Sequence, residues 1–405
     1  MKRSLPLICI CFVLLASLAS CKKSNDEKKS KPAIINVTGL FSITGNWSTL
    51  GIDSKAALKF AASDINAYLA AKNANFRLSV SFFNTRLQAD LAEQYFRTAT
   101  KGGTRFIIGP QSSAELAGIV PLADSAQTIV ISQGSTAGSL AIPNDPVFRF
   151  CPTDKVEGAA VAASIYKAGI KGLVTVARND AGNLGLQTSI GTNFTQLGGS
   201  IQALTAYSTT ITDFTPVIAG IKAQLSTIIN TYGAANVGVY LASFDEGAQL
   251  MALANADPVL SGVKWYGGDG VALSAVFLEN TTADAFAVKT GFFAPSFGLP
   301  ASLKSKWQPI ATRIQNETGI APDAFALAAY DAMWVIEKTL EATNGSTSNF
   351  TQLKTTFAQQ ADAYSGVTGS TQLDANGDRD SGSFDYYGIM KADTGYTWTV
   401  VGESE

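Results

Sequence analysis

From residue 33 onward, short apolar segments alternate with helical patterns, and this alternation restricts the fold more than any other feature of the sequence. Strands are predicted at residues 34–40, 77–83, 105–108 and 128–132, and helices between them at 51–70, 90–101 and 113–126. One face of the first helix carries apolar residues at spacings of four, three and four: Leu58, Ala62, Ile65 and Leu69. The β-α-β-α order predicts parallel strands with helices on both faces of the sheet.

A second series of alternating elements follows Pro152. Helices are predicted near residues 155–168, 184–197, 214–231 and 246–254, and strands at 172–177, 200–206, 236–241 and 262–266. A chain of 405 residues exceeds the size at which a single hydrophobic core keeps growing. The sequence therefore predicts an α/β protein of two doubly wound parallel-sheet lobes.

Composition excludes several classes of function. The formal net charge is -2 with 15% charged and 46% hydrophobic residues, which excludes a disordered chain and a strong nucleic-acid-binding surface. The sequence contains no histidine, so Ser-His-Asp hydrolases, Cys-His proteases and His-ligated zinc enzymes are excluded. It also has no nucleophile elbow, phosphate-binding loop or dinucleotide fingerprint. We expect no enzymatic activity, no catalytic residue, no metal and no cofactor, although composition leaves acid or lysine chemistry open.

The first 20 residues have the pattern of a secretory signal. Lys2 and Arg3 precede an uncharged apolar run at residues 5–19, which is short for a membrane span. The run ends in LASC at residues 18–21, which resembles the lipobox of bacterial lipoproteins. We therefore expect Cys21 to be lipidated and to begin the mature protein. The alternative is an ordinary signal peptide in which Cys21 is coincidental.

Residues 21–32 are polar and of low complexity, which predicts a flexible tether between the lipid anchor and the folded part. Binding of this basic segment to lipid is the alternative, but Asp26 and Glu27 interrupt it. Cys9 and Cys11 leave with the signal peptide, so Cys151 remains unpaired and no internal disulfide is expected. We expect a membrane-anchored lipoprotein of the cell envelope that faces the periplasm or the exterior.

Four loops follow predicted strands, at the sheet edge where doubly wound folds bind ligands. Their sequences are GNWSTLG at 45–51, GPQSS at 109–113, SQGST at 132–136 and GGDG at 267–270. At these loops the chain resembles the leucine/isoleucine/valine-binding protein family, the type I periplasmic binding proteins that deliver substrates to ABC importers. Further fragments resemble motifs of the family in the same order: DIN at 64–66, VFR at 147–149, DFT at 213–215 and LDANGDR at 373–379.

The resemblance covers residues 33–402 and implies two α/β lobes that are joined by three crossovers and close on a ligand. It implies a first lobe at residues 33–150 plus 293–366 and a second lobe at 151–292 plus 367–405. The crossovers are then expected near Cys151, Gly291 and Thr368. The helices after Pro300 and Pro322 are expected to pack on the first lobe.

The resemblance also assigns roles to residues of the four loops. Ser113 matches the serine that binds the ligand carboxylate, with Ser112 beside it, and Thr136, next to Ser135, matches a threonine that binds the head group. Asp269 matches the acid that pairs with an α-ammonium. The residues alone also fit a helix capping box at 112–115 and ordinary turns at the other two loops.

Two departures from the family pattern leave the ligand open. Gly182 replaces the usual aromatic residue, and near Ser243 the second-lobe tyrosine is absent or moved to Phe244. The pocket is then either larger or filled by Trp47 or Phe244, and Leu50 completes the set of expected ligand-binding residues. Aromatic residues of such loops also pack between lobes, which is the other interpretation.

Acidic and amide residues recur near the C-terminus, at Asp374, Asn376, Asp378 and Asp380, with Asp385 at the twelfth place. This spacing is similar to that of a calcium loop, but the loop has Arg379 where calcium loops need glycine. A turn between strands is the other interpretation, and calcium binding stays open.

The sequence thus favours a lipid-anchored substrate-binding protein of an ABC importer. It is expected to bind an amino acid of the branched-chain type, or a related small carboxylate or amide, between two closing lobes. The expected partners are this small molecule, an ABC permease and, through the lipid, the membrane, with no nucleic acid and a monomeric state. The alternative is a type I lobe pair that acts as an envelope sensor or interaction protein without a transport substrate.

Overall fold

A computed structural model describes residues 31–404 of the chain. The predicted signal peptide at 1–20, the lipidation site Cys21 and the tether up to residue 30 lie outside the described residues. Within the described part, the predicted strands and helices follow in the predicted order from residue 33 to residue 267, with one additional strand at residues 147–149 that was not predicted.

The first lobe contains a five-stranded sheet in which every neighbouring pair is parallel. Its strands are β1 (Ala33–Phe41), β2 (Phe76–Asn84), β3 (Phe106–Ile108), β4 (Ile129–Ser132) and β5 (Val147–Arg149). Their order in space is β2-β1-β3-β4-β5. All residues of β3 and β4 are buried, as expected for central strands with helices on both faces, and those of the edge strand β5 are buried as well.

The helices predicted from the sequence are present, and two further helices, at residues 281–290 and 350–363, were not predicted. In chain order the helices are α1 (Ser48–Ala71), α2 (Ala89–Lys101), α3 (Ser113–Ala123), α4 (Asp154–Lys167), α5 (Ala181–Gln196), α6 (Thr215–Tyr232), α7 (Gly247–Ala254), α8 (Thr281–Thr290), α9 (Lys304–Thr318), α10 (Ala324–Ala342) and α11 (Phe350–Ala363). Both α9 and α10 pack on α1, as expected for the helices that return to the first lobe. Residues on every side of α10 are buried, which makes it a core helix of this lobe.

The second lobe contains a seven-stranded sheet. Its strands are β6 (Gly172–Ala177), β7 (Ser200–Ala203), β8 (Val237–Ala242), β9 (Lys264–Gly267), β10 (Phe293–Phe297), β13 (Phe384–Lys391) and β14 (Tyr396–Glu403), and a small separate hairpin is formed by β11 (Ser365–Gly366) and β12 (Gly369–Ser370). The sheet is parallel from β7 to β10, but β13 is antiparallel to β10 and to β14. The two parallel-sheet lobes are therefore present as predicted, and β13 and β14 add an antiparallel edge to the second sheet.

Strand pairing moves two of the expected lobe boundaries. β10 begins at Phe293 and pairs with β9 and β13, so the second crossover lies after Phe297. Gly291 instead ends α8 in the left-handed conformation, with φ of 63°. Asp378 bridges Arg149 at the end of β5, so the third crossover lies after this contact and not near Thr368.

The third crossover is preceded by a hairpin that is fixed to the first lobe by a buried carboxylate. Asp331 of α10 accepts hydrogen bonds from the backbone N–H groups of Val367 and Thr368, both at 2.8 Å, and from the Thr368 hydroxyl at 2.6 Å. Gly366 lies so close that a Cβ there would come within 2.0 Å of the Asp331 carboxylate. Residues 365–370 therefore belong with the first lobe.

Candidate functional site

A small cavity lies between the lobes, where strand ends and helix N-termini of the two sheets face each other. It is lined by Trp47, Ser112, Ser113, Gly134, Thr136, Gly182, Asn183, Leu186, Phe244 and Asp269. Seven of these residues were expected from the sequence, and the structure brings them together. The lining side chains lie close together and leave little free space between them.

Ser112 is the N-cap of α3. Its hydroxyl accepts a hydrogen bond from the Glu115 backbone N–H at 3.3 Å and donates to the Glu115 carboxylate at 2.6 Å. The same carboxylate oxygen accepts from the Ser112 backbone N–H at 3.2 Å, which completes a capping box. The helix-capping interpretation of Ser112 is therefore confirmed, and its hydroxyl is already engaged.

Ser113 presents its hydroxyl to the cavity. Its oxygen accepts hydrogen bonds from the Ser135 hydroxyl at 3.0 Å and from the Ala137 backbone N–H at 3.2 Å. Its own proton is thus left to donate to an anionic group. A Cβ at Gly182 would lie 3.4 Å from this oxygen, so the missing side chain of Gly182 keeps the hydroxyl accessible from the second lobe.

Three expected ligand-binding residues lie behind the cavity wall rather than in it. Ser135 is fully buried and supports Ser113 through the hydrogen bond between their hydroxyls. Leu50 packs against Gly134, where a Cβ would meet it at 3.2 Å. Ser243 is fully buried beneath Gly247, where a Cβ would lie 2.3 Å from its hydroxyl oxygen. Close packing of the loops keeps all three side chains out of the cavity lining, and a sequence pattern does not reveal such packing.

Trp47 and Phe244 form an aromatic contact across the cleft. Their ring centroids are 4.7 Å apart, and Trp47 also meets the edge of Phe325 at 6.5 Å. The guanidinium of Arg178 lies over the Phe244 ring at 5.2 Å. The two aromatic residues therefore narrow the cavity, as one of the two interpretations of the sequence anticipated.

Hydrogen bonds between the same two loops hold the lobes together beside the aromatic contact. The backbone N–H of Trp47 donates to the Asp245 carboxylate at 2.6 Å. The Asn46 amide donates to Glu246 at 2.6 Å and accepts from the Asp245 backbone N–H at 2.9 Å. Farther along, the Ala275 backbone N–H donates to Thr49 at 3.0 Å. We call residues 46–49 and 244–246 the cross-lobe clasp.

Asp269 lies at the end of β9 on the second-lobe side of the cavity. Its side chain is buried, and its Oδ2 atom accepts no hydrogen bond from any residue between 31 and 404. Burial, followed by the nearby charge of Asp154, raises the pKa of Asp269 to about 8. A buried carboxyl without a donor is a strong acceptor for a cationic group that enters the cavity.

Two further acids lie near Asp269 and were not anticipated from the sequence. Asp154 and Glu157 stand in the first turn of α4, both almost completely buried. Burial raises the pKa of Asp154 to about 7 and that of Glu157 well above its usual value. Acids are common in the first turn of any helix, where they interact favourably with the helix dipole. Their positions in the sequence therefore carried no signal that they belonged to a ligand site.

The chain is similar in sequence to a known family and to one further protein. The sequence profile of a family described as "Receptor family ligand binding region" matches residues 53–391, which is most of the chain. The chain belongs to this family. It is also similar to an uncharacterized protein of Methanocaldococcus jannaschii, at 27% identity over 406 residues and over 95% of this chain and 94% of that protein.

Three solved structures of substrate-binding proteins share the fold of this chain. The branched-chain amino acid transporter substrate-binding protein LivJ from Streptococcus pneumoniae, in complex with isoleucine, has a TM-score of 0.73 at 18% identity and covers 92% of this chain and 99% of its own. The leucine-binding protein LivK from Thermotoga maritima has a TM-score of 0.71 at 18% identity, over 92% and 99%. A solute-binding protein from R. palustris in complex with benzoate has a TM-score of 0.69 at 17% identity, over 91% and 96%. The resemblance to type I periplasmic binding proteins is thereby confirmed for the family and the fold.

No helix between residues 31 and 404 is both long and apolar enough to cross a membrane. In the same part of the chain, no three acidic or cysteine side chains converge in a way that could hold a metal ion.

Proposed function

We propose that this protein is the lipid-anchored substrate-binding protein of an ABC importer and that it binds an amino acid between its two lobes. Single features support this proposal only weakly, but one arrangement carries it. Ser113 and Asp269 lie on opposite lobes and line one cavity, the first with a hydroxyl proton to donate and the second with an unpartnered carboxyl oxygen. A donor for a carboxylate opposite an acceptor for an ammonium fits a zwitterion.

The residues that line the cavity support an amino acid with an apolar side chain as the ligand. Leu186, Trp47 and Phe244 supply apolar surface beside the polar pair, and no lysine or arginine lines the cavity within the described residues. An aromatic carboxylate would leave Asp269 without a partner. An amino acid would pair its ammonium group with Asp269, and a short apolar side chain would contact the apolar residues. The solved relatives that bind isoleucine or benzoate define the two ligand classes to compare.

The cross-lobe clasp supports a closing mechanism. Its hydrogen bonds join the loop before α1 to the loop before α7, and both loops also line the cavity through Trp47 and Phe244. A molecule bound between these loops would favour the arrangement in which the clasp is formed. We propose that this closed form is the one that docks on a membrane permease, with the Cys21 lipid keeping the monomeric receptor near it.

A thermal-shift screen of the purified mature chain tests the proposal. The panel contains the 20 amino acids, their amides, benzoate and hydroxybenzoates. A compound present at 100 times its dissociation constant should add about 2.7 kcal/mol to the free energy of unfolding. Stabilisation by amino acids and not by their N-acetyl derivatives is expected. Silence across the panel would favour a sensor or interaction protein without a transport substrate.

A further inference from the structure

Arg178 follows directly after β6, and its side chain lies over the ring of Phe244 without lining the cavity itself. Its backbone is fixed on both sides. The backbone N–H donates to the carbonyl of Ala242 at the end of β8 at 3.0 Å, and the residue forms a parallel bridge with Tyr207. Only 11% of the side chain is exposed to solvent. The guanidinium is therefore held at the strand ends of the second sheet, where the ligand-facing loops begin.

The guanidinium contacts a carboxylate from each of two second-lobe loops that lead to cavity-lining residues. Its Nη1 lies 3.3 Å from Oδ2 of Asp180, and its Nε lies 3.7 Å from Oε1 of Glu246. Its central carbon Cζ lies 5.2 Å from the centroid of the Phe244 ring. A guanidinium suits such a set of partners, because it combines a rigid fork of donors with a flat face that stacks on aromatic rings. The Arg178 side chain thus fixes the loop before α5 relative to the loop before α7.

Each of the two carboxylates in turn holds a residue of the cavity lining. Asp180 caps α5, where its Oδ1 accepts from the Asn183 backbone N–H at 3.0 Å and its Oδ2 from the Asn183 amide at 2.9 Å. Glu246 accepts from the Phe244 backbone N–H at 3.3 Å. Asn183 and Phe244 both line the cavity. Arg178 therefore acts on the cavity wall through its partners, from outside the lining.

The Phe244 ring is enclosed on its other sides as well. It lies 4.7 Å from the Trp47 ring across the cleft, with the two planes inclined by 30°. On the second-lobe side it packs so closely on Gly270 that a Cβ there would come within 2.7 Å of the ring. Together with Arg178, these contacts hold the ring where it narrows the cavity. A ring held in this way excludes bulky ligand side chains, since they would need the space that it occupies.

We propose that Arg178 is a positioning residue of the binding site, which holds Phe244 against Trp47 and thereby restricts the receptor to amino acids with short side chains. The inference rests on the proposed function, since it concerns the side chain of a ligand whose head group binds Ser113 and Asp269. Arg178 controls the choice between side chains and leaves the head group to those two residues. Selectivity then arises from exclusion of the wrong ligand rather than from an added contact with the right one.

Titration calorimetry with L-valine and L-phenylalanine tests this role, with L-phenylalanine also measured as a competitor of L-valine. The readout is the dissociation constant for phenylalanine divided by that for valine, and it should exceed one in the wild type. In Arg178→Met this ratio should fall by about three- to thirtyfold, the range that the loss of a cation–π contact accounts for. A merely structural defect would weaken both ligands equally, and an unchanged ratio would therefore overturn the positioning role.

Arg178→Lys is the second variant, because it keeps a positive charge beside Asp180 and Glu246 and so protects the fold. A lysine ammonium lacks the planar fork, so the ratio should fall in this variant too, by less than in Arg178→Met. Phe244→Leu completes a double-mutant cycle. In the Phe244→Leu background, Arg178→Lys should leave the ratio unchanged, because the ring through which Arg178 acts is gone. An additive effect in the double variant would contradict action through Phe244.

Arg313→Met is the matched control, because Arg313 makes the same two kinds of contact outside the cavity lining. Its guanidinium lies over the Phe60 ring at 4.5 Å and pairs with Asp64 at 2.7 Å. This variant should keep the wild-type ratio. A fall as large as that in Arg178→Met would show that the loss of any such arginine loosens selectivity, and would overturn the specific role of Arg178.

The outcomes separate the two proposals. An unchanged ratio in the Arg178 variants, or a wild type that binds L-phenylalanine as tightly as L-valine, would overturn the role of Arg178 and leave the amino-acid receptor intact. Failure of every amino acid to bind the wild type would overturn the receptor, and the inference about Arg178 with it.

Discussion

Arg149 and Asp378 form a buried ion pair with two parallel hydrogen bonds, Nε to Oδ1 and Nη2 to Oδ2, each of 2.5 Å. Arg149 ends the last strand of the first sheet, whereas Asp378 precedes the third crossover. The remaining guanidinium nitrogen, Nη1, donates to the carbonyl of Ala137 at 2.5 Å, in the loop that follows the ligand-facing Thr136. The Arg149 side chain therefore connects a crossover to the wall of the cavity. In the loop where calcium binding had been left open, the Asp378 carboxylate is bound to Arg149.

Replacement of Arg149 by methionine should destabilise the protein by about 3–5 kcal/mol, because the Asp378 carboxylate would remain buried without a partner. Denaturant unfolding measures this cost. Arg97→Met removes an exposed pair with Glu93 on α2 and should cost less than about 1 kcal/mol. Similar costs for the two variants would show that the buried pair does not stabilise the crossover.

Asp269→Ala should weaken amino-acid binding by about 2–5 kcal/mol, since the ammonium would enter a buried wall without a counter-ion. Asp269→Asn should recover part of the hydrogen bonding and favour ligands whose amine is acylated. Titration calorimetry measures both, with Asp213→Ala, at an exposed turn, as the control. Wild-type affinity in the alanine variant would reduce Asp269 to a turn residue and redirect the search to neutral amides or aromatic acids.

Asn46→Ala should weaken binding by about 1–2 kcal/mol, because it removes two hydrogen bonds of the cross-lobe clasp without touching the cavity wall. Small-angle scattering should show a smaller radius of gyration on ligand addition in the wild type and a smaller decrease in the variant. Asn236→Ala, whose side chain bonds Tyr232 within the second lobe, is the control. An unchanged scattering curve with confirmed binding would rule out lobe closure.

Stability should decrease as pH rises from about 4 to about 8. Asp53 of α1 is buried, with its Oδ1 unpartnered within residues 31–404, and burial raises its pKa to about 8. The folded state therefore binds the proton more tightly than the unfolded chain, and this contribution is complete below the unfolded pKa and lost as pH rises through about 8. Thermal unfolding at several pH values should show a flatter profile for Asp53→Asn. The exposed-site variant Asp124→Asn should match the wild type.

Cys21→Ser should abolish acylation and release the protein from the membrane fraction, because the lipobox cysteine is the proposed attachment point. Fractionation with alkaline washing, combined with mass spectrometry of the mature N-terminus, measures this. Cys151→Ser is the matched control, since the Cys151 thiol is buried. A Cys21→Ser protein that stays membrane-bound would place the anchor elsewhere.

The sequence predicted the element order well because apolar periodicity is a local signal, and strands such as Gly172–Ala177 match to the residue. β10 was expected in the first lobe but lies in the sheet of the second lobe, where it pairs with β9 and β13. The sequence of an apolar strand does not indicate which sheet the strand joins, because that depends on its partner strands. In the site, residues at strand ends were found readily. The acids Asp154 and Glu157 were not found, since they come near Asp269 only when α4 packs beside it.

The core helix α10 also has a consequence for the order in which the chain can fold during synthesis. The strands of the first sheet are complete at Arg149, yet α10, which packs against α1 and β3, begins only at Ala324. Roughly the first third of the chain therefore lacks this packing until most of the second lobe has been made. Truncation before residue 342 should therefore yield an aggregating first lobe.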